Sequence, residues 1–139
     1  MVTDKDCYKK YGEPSEKNPN MTLFDIPSEF EIGVIPKKIY CNKDLVAPLT
    51  KALSLIKERN LFSKIKTWDG CFNIRKKRGL KSMSLHSWGI AIDINAFENQ
   101  LFWGPKMSIE LVEAFEEAGF DWGGRWKRKD GMHFQLSKI

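Results

Sequence analysis

Residues 84–95 read SLHSWGIAIDIN, and the reading of this stretch decides the fold. Ile90, Ile92 and Ile94 alternate with Gly89, Ala91, Asp93 and Asn95, the period of two that marks a half-buried strand. One face of such a strand is apolar, and the other presents Asp93 among small neighbours that leave room above it. His86 lies seven positions before Asp93, an odd spacing that a straight strand cannot place on one face. His86 therefore belongs to the turn that leads into the strand.

The second of the chain's two histidines, His133, sits in KDGMHFQL (residues 129–136), three positions after Asp130. The same alternation puts Met132, Phe134 and Leu136 on the core side and His133 with Gln135 on the other. Each histidine taken alone reads as a hydrogen-bonded structural or surface pair with its carboxylate. Taken together, both occupy polar faces of strands or their entry turns, which favours two halves of one site.

Two imidazoles and one carboxylate, with a fourth position open, are a common ligand set of catalytic zinc, whereas structural zinc sites close all four positions. His86, Asp93 and His133 supply that set. Such a site lowers the pKa of water to roughly 7 and polarises a carbonyl oxygen, as amide hydrolysis requires. Asp130, in a turn with Gly131, is placed to take the proton of the attacking water without being a ligand. Negative charge then builds on the carbonyl oxygen, and NIRKKRG (residues 73–79) offers Arg75, with Arg78 as second choice, to stabilise it. There is no HExxH helix, so the familiar zincin pattern lends this reading no support.

Outward from these strands the pattern turns helical. Residues 4 to 11 suit a short helix ended by Gly12, followed by a loop from Glu13 to Met21. Phe30 to Tyr40 reads as extended chain. Leu45, Leu49, Leu53 and Ile56 then recur at helical spacing, with Asn42 or Asp44 as cap and Pro48 early in the helix. Another helix is expected from Ser108 through Ile109, Val112 and Phe115 to Gly119. Trp122 and Trp126, flanking Gly123 and Gly124, read as packing residues that hold the Asp130 turn, with a groove-lining role as the alternative. The fold class expected is α+β: a small, mainly antiparallel sheet carrying the site, packed against a few helices.

At 139 residues the chain suits one domain, here residues 1–139, with 1–28 as an N-terminal segment outside the main pattern. Hydrophobic residues at 42% and charged residues at 29% are the balance of a globular protein. No apolar run approaches the ~20 residues that span a bilayer. The first residues, MVTDKDCYKKYG, carry charges of both signs and no apolar core, so no secretory signal is expected and the chain is expected to start in a cytoplasm. Three cysteines without C-x-x-C spacing read as reduced, packed thiols. The net charge of +5 favours an anionic partner. The RKKR run reads as a solvated loop, because no recognition module accompanies it, and nucleic acid is not expected as a partner.

SLHSWGIAIDIN followed by FDWGGRWKRKDGMHFQL resembles the zinc peptidoglycan peptidases, a family grouping D-alanyl-D-alanine carboxypeptidases with the L-alanyl-D-glutamate endopeptidases of phage endolysins. The resemblance runs from about Ile39 to Leu136 and rests on the Ser-x-His-x6-Asp and Asp-x2-His elements with their flanking tryptophans. It implies His86, Asp93 and His133 as zinc ligands, Asp130 as catalytic base, Arg75 at the position that stabilises the oxyanion, and Ser84 as a hydrogen-bonding member of the motif. Some relatives carry glutamate at the position of Asp130, and the aspartate looks more like the endolysin branch. The activity implied is hydrolysis of an amide bond in the stem peptides of bacterial peptidoglycan; a monomer is expected. As a phage lysis enzyme it would wait in the host cytoplasm until a membrane lesion releases it to the wall. A non-catalytic wall-peptide binding module is the rival reading, against which a base beside the ligand set speaks.

Overall fold

The computed structural model describes residues 1–139. Its elements run α1 (Asp4–Tyr11), β1 (Met21–Asp25), β2 (Lys38–Asn42), α2 (Lys43–Glu58), β3 (Trp68–Gly70), β4 (Ala91–Ile94), α3 (Ile109–Glu117), β5 (Phe120–Trp122) and β6 (His133–Leu136), with short 3-10 turns between them. The strands form two sheets, a β1–β2 hairpin and an antiparallel sheet in the order β3-β4-β6-β5. This is the α+β architecture expected, with both histidine stretches at the centre of the larger sheet.

The two longer helices form where the apolar spacing predicts them. In α2 the Asn42 side chain accepts from the Asp44 amide at 2.9 Å, and the helix runs on through Pro48. Its Leu45, Leu49, Leu53 and Ile56 are fully buried, each worth about 1.5–3 kcal/mol of transfer free energy. Ser108 caps α3, which buries Leu111, Val112 and Phe115, and Phe115 meets Phe134 of β6 with ring centroids 4.5 Å apart. The core thus lies between the helices and one face of the β4–β6 pair. No helix is long and apolar enough to cross a membrane.

Three sequence expectations are corrected. Phe30 to Tyr40 is not one extended run: a 3-10 turn occupies Ser28–Phe30, and the strand begins only at Lys38, pairing with β1. Met132 is not on the core side; it precedes β6, is half-buried and lines a cleft. The far face of β6 is not open either, since His133 and Gln135 are 6% and 2% exposed.

That far face is covered by the N-terminal segment. Thr3 and Asp6 close a capping box at the start of α1. The Asp4 carboxylate accepts from the Met83 amide at 2.9 Å, the Trp88 indole donates to the Gly12 carbonyl at 2.9 Å, and Tyr11 Oη donates to Asp44 at 2.6 Å. The first twelve residues are therefore laced to the chain on both sides of His86. Cys7, Cys41 and Cys71 are free and buried, and burial pushes the Cys7 and Cys41 thiols up to about 12. None of the three is poised as a thiolate.

Candidate metal centre and its cleft

His86 is delivered by a 3-10 turn, Leu85–Trp88, capped by the Ser84 hydroxyl, which accepts from the His86 amide at 3.3 Å. Ser84 thus shapes the turn that carries the imidazole. The turn ends at Gly89, with φ +69, where a Cβ would lie 2.7 Å from the Asn42 nitrogen. Only glycine lets the β1–β2 hairpin approach this closely, and Asn42 then bonds the Trp88 carbonyl at 3.0 Å. Asp93 and His133 face each other across the β4–β6 ladder as direct register partners. The turn before β6 is held by Gly123, whose carbonyl accepts from the Asp130 amide at 3.0 Å. A Cβ on Gly123 would collide with the Asp130 carbonyl, which accounts for the glycine there.

These elements bring His86, Asp93 and His133 together, with one potential ligand atom from each lying within 4.8 Å of the others. Asp93 Oδ1 is 3.1 Å from His86 Nε2 and 3.4 Å from His133 Nδ1. His86 Nε2 and Asp93 Oδ1 are buried with no partner aligned for a hydrogen bond. Orphaned polar atoms are costly inside a protein unless something else satisfies them.

The outward ring nitrogens are already committed. His86 Nδ1 lies 2.6 Å from the Cys71 carbonyl, an acceptor only, so Nδ1 carries the proton and Nε2 keeps its lone pair. His133 Nε2 lies 3.0 Å from Gln135 Oε1, while the Gln135 amide nitrogen donates to the Val2 carbonyl at 3.3 Å. That donation fixes the amide with its oxygen toward His133, so Nε2 carries the proton and Nδ1 keeps its lone pair. Both histidines therefore turn a bare nitrogen toward Asp93, the tautomers a divalent cation requires. Gln135 and the Cys71 carbonyl are the functional partners that reasoning on the sequence missed, although the alternation did put Gln135 on the face of His133.

Asp93 and His133 also shift one another's titration. Burial pushes the Asp93 carboxyl up, but the two imidazoles outweigh it and hold the group below the usual carboxylate range. For His133 burial works downward, and Asp93 with Asp130 outweighs it to raise the imidazole. Asp130 is raised instead: burial is the largest cause, His133 opposes it, and the charge of Asp93 adds to it. The two carboxylates are thus driven apart, Asp93 toward a permanent anion and Asp130 toward a proton acceptor of higher affinity. Asp130 Oδ2 is 3.9 Å from His133 Nδ1, beside the triad and outside it.

A cavity of about 420 Å³ opens over these groups and is lined by Asp93, Asp130, His133, Ser84, Trp126 and Met132, among others. Arg75 and Arg78 both reach it. Trp122 is a packing residue, its indole donating to the Gly131 carbonyl at 2.7 Å, whereas Trp126 lines the cavity with its ring 5.5 Å from that of His133.

Comparison with known proteins places this geometry in context. Residues 78–136 match the family described as D-alanyl-D-alanine carboxypeptidase. The chain is 28% identical over 113 residues to the peptidoglycan L-alanyl-D-glutamate endopeptidase CwlK of Bacillus subtilis (strain 168), covering 72% of this chain. It spans 66% of that relative's length. Among solved structures it resembles the Serratia marcescens L-Ala D-Glu endopeptidase ChiX, with a TM-score of 0.44 and 23% identity over 81% of this chain and 88% of that one.

Proposed function

We propose that this chain is a member of the family of D-alanyl-D-alanine carboxypeptidases and L-alanyl-D-glutamate endopeptidases, to which its residues 78–136 and its relative are similar, and that it hydrolyses the amide bond between L-alanine and D-glutamate in peptidoglycan stem peptides, using zinc. The observation that carries this reading is the pair of orphaned, inward-facing atoms, His86 Nε2 and Asp93 Oδ1, beside a third free nitrogen on His133. His86, Asp93 and His133 would hold the ion, and two neutral imidazoles with one carboxylate suit zinc. Zinc bound there supplies a Lewis acid that polarises the scissile carbonyl and makes water a better nucleophile.

The chain's own residues do the rest. Asp130, its proton affinity raised by burial, accepts a proton from the attacking water and returns it to the departing amine. Arg75, from the rim of the cleft, donates to the carbonyl oxygen as charge accumulates there. The Cys71 carbonyl and Gln135 hold the two imidazoles in their tautomers. Trp126 and Met132 give the cleft apolar wall beside His133.

Mass spectrometry of purified peptidoglycan fragments after incubation tests the reaction. Separation of L-alanine from D-glutamate is expected; release of terminal D-alanine instead would make the protein a carboxypeptidase. Metal analysis tests the site. About one zinc per chain is expected, with loss in His133→Ala, and full zinc occupancy in both His86→Ala and His133→Ala would overturn the ligand assignment.

A further inference from the structure

The charges of the cleft are one-sided. Beyond Asp93 and Asp130, its charged side chains are Arg75, Lys77, Arg78, Lys127 and Arg128. None of these five is among the basic side chains that form a salt bridge with a carboxylate. Unpaired cations converging on one concavity attract an anionic ligand.

Arg128 differs from the other four in being held. Its Nη2 donates to the Arg78 carbonyl at 2.6 Å, and its guanidinium lies 5.4 Å from the centre of the Phe102 ring. The half-buried side chain is therefore fixed between two loops with most of its donors uncommitted. Phe102 itself is unusual. It has φ +72, a left-handed conformation that bulky L residues rarely adopt, and the residue is 65% exposed. Its amide is pinned to the Lys129 carbonyl at 2.8 Å, next to Arg128. A strained backbone that presents an exposed ring has no folding rationale, but it does supply the plate on which Arg128 rests.

We infer that Arg128, seated on Phe102 and tied to the Arg78 carbonyl, is the cleft's receptor for a free carboxylate on the substrate peptide close to the scissile amide. Guanidinium and carboxylate match as a planar, bidentate pair, and a prefixed guanidinium loses little freedom on forming it. The inference rests on the peptidase reading and deepens it. A glutamate inside a peptide uses its amine and one carboxyl in the chain and keeps the other carboxyl free. The preferred substrate therefore carries that carboxylate, and peptides in which it is amidated are poor substrates.

The test uses zinc-loaded protein and two synthetic stem peptides, identical except that the free glutamate carboxyl of one is a primary amide in the other. Wild type is expected to favour the acid by about tenfold or more in kcat/KM, mainly through KM. Arg128→Met should abolish the preference, bringing the KM of the acid to that of the amide, and Arg128→Lys should recover part of it. Equal losses on both peptides in Arg128→Met, or no preference in wild type, overturn the inference. Calorimetric binding of the same two peptides to zinc-loaded Asp130→Asn protein separates it from the reading beneath it. Preference for the acid in binding, with no turnover of either peptide by wild type, counts against the peptidase reading alone; absence of preference in binding counts against Arg128.

Discussion

His133 and Gln135, two residues apart on β6, are joined side chain to side chain, with His133 Nε2 donating to Gln135 Oε1 at 3.0 Å. Gln135 is in turn oriented by the Val2 carbonyl, 133 positions away in the sequence. A residue of the N-terminal segment therefore bears on which nitrogen of His133 carries the proton. Gln135→Leu is expected to weaken zinc binding by about 10–100-fold, as loss of such outer partners commonly does. Gln135→Glu keeps an acceptor for His133 and should retain more of the affinity. Chelator competition measures both, with circular dichroism to show that the fold is intact. Unchanged affinity in Gln135→Leu would mean that His133 is oriented by packing alone.

The attachment of α1 to α2 should be visible in acid. The Asp44 carboxyl is lowered, chiefly by the hydrogen bond from Tyr11 and further by Lys10. Because its folded pKa lies below its unfolded value, the contribution is fully present above the unfolded value and lost as pH falls through the folded one. Tyr11→Phe is expected to cost about 1 kcal/mol or less at neutral pH, since Asp44 is partly exposed to solvent. Thermal unfolding of the pair should show that difference shrinking below about pH 4. A difference that persists unchanged in acid would assign the loss to packing of the ring.

Arg75→Ala is expected to lower kcat about a hundredfold with a smaller change in KM, because the interaction strengthens only as charge develops on the carbonyl oxygen. Steady-state kinetics on a stem peptide measure this. If Arg75→Ala is near wild type and Arg78→Ala collapses, the role moves to Arg78, which also reaches the cleft. If both stay active, the oxyanion is stabilised from elsewhere.

The parts of the fold legible in the sequence are those with a strong local period. The alternation of Ile90, Ile92 and Ile94 marks β4, the leucine spacing marks α2, and the odd interval from His86 to Asp93 puts His86 in a turn, where the structure has it. The β1–β2 hairpin was hidden because β1 buries only Met21 fully and leaves Leu23 54% exposed, so its sequence carries no alternation. Strands β3 and β5 have three residues each, too few for a period to register. At the site, His86, Asp93, His133 and Asp130 were legible as a group because both histidines neighbour carboxylates on strand-like stretches. The Val2–Gln135 contact and the seat of Arg128 on Phe102 were not, since each depends on a tertiary approach that no local pattern encodes.

The account turns on Asp130 being a base beside the metal ligands and not one of them. Its carboxyl is raised by burial, so activity should fall with decreasing pH from a point above that of an ordinary carboxylate. The most direct measurement is zinc content and hydrolysis rate on one sample of Asp130→Asn. An amide cannot accept the proton, so zinc should stay at about one per chain while hydrolysis falls by ~10²-fold or more. Loss of zinc together with activity would make Asp130 a ligand or a structural residue, and full activity with zinc retained would place the base elsewhere.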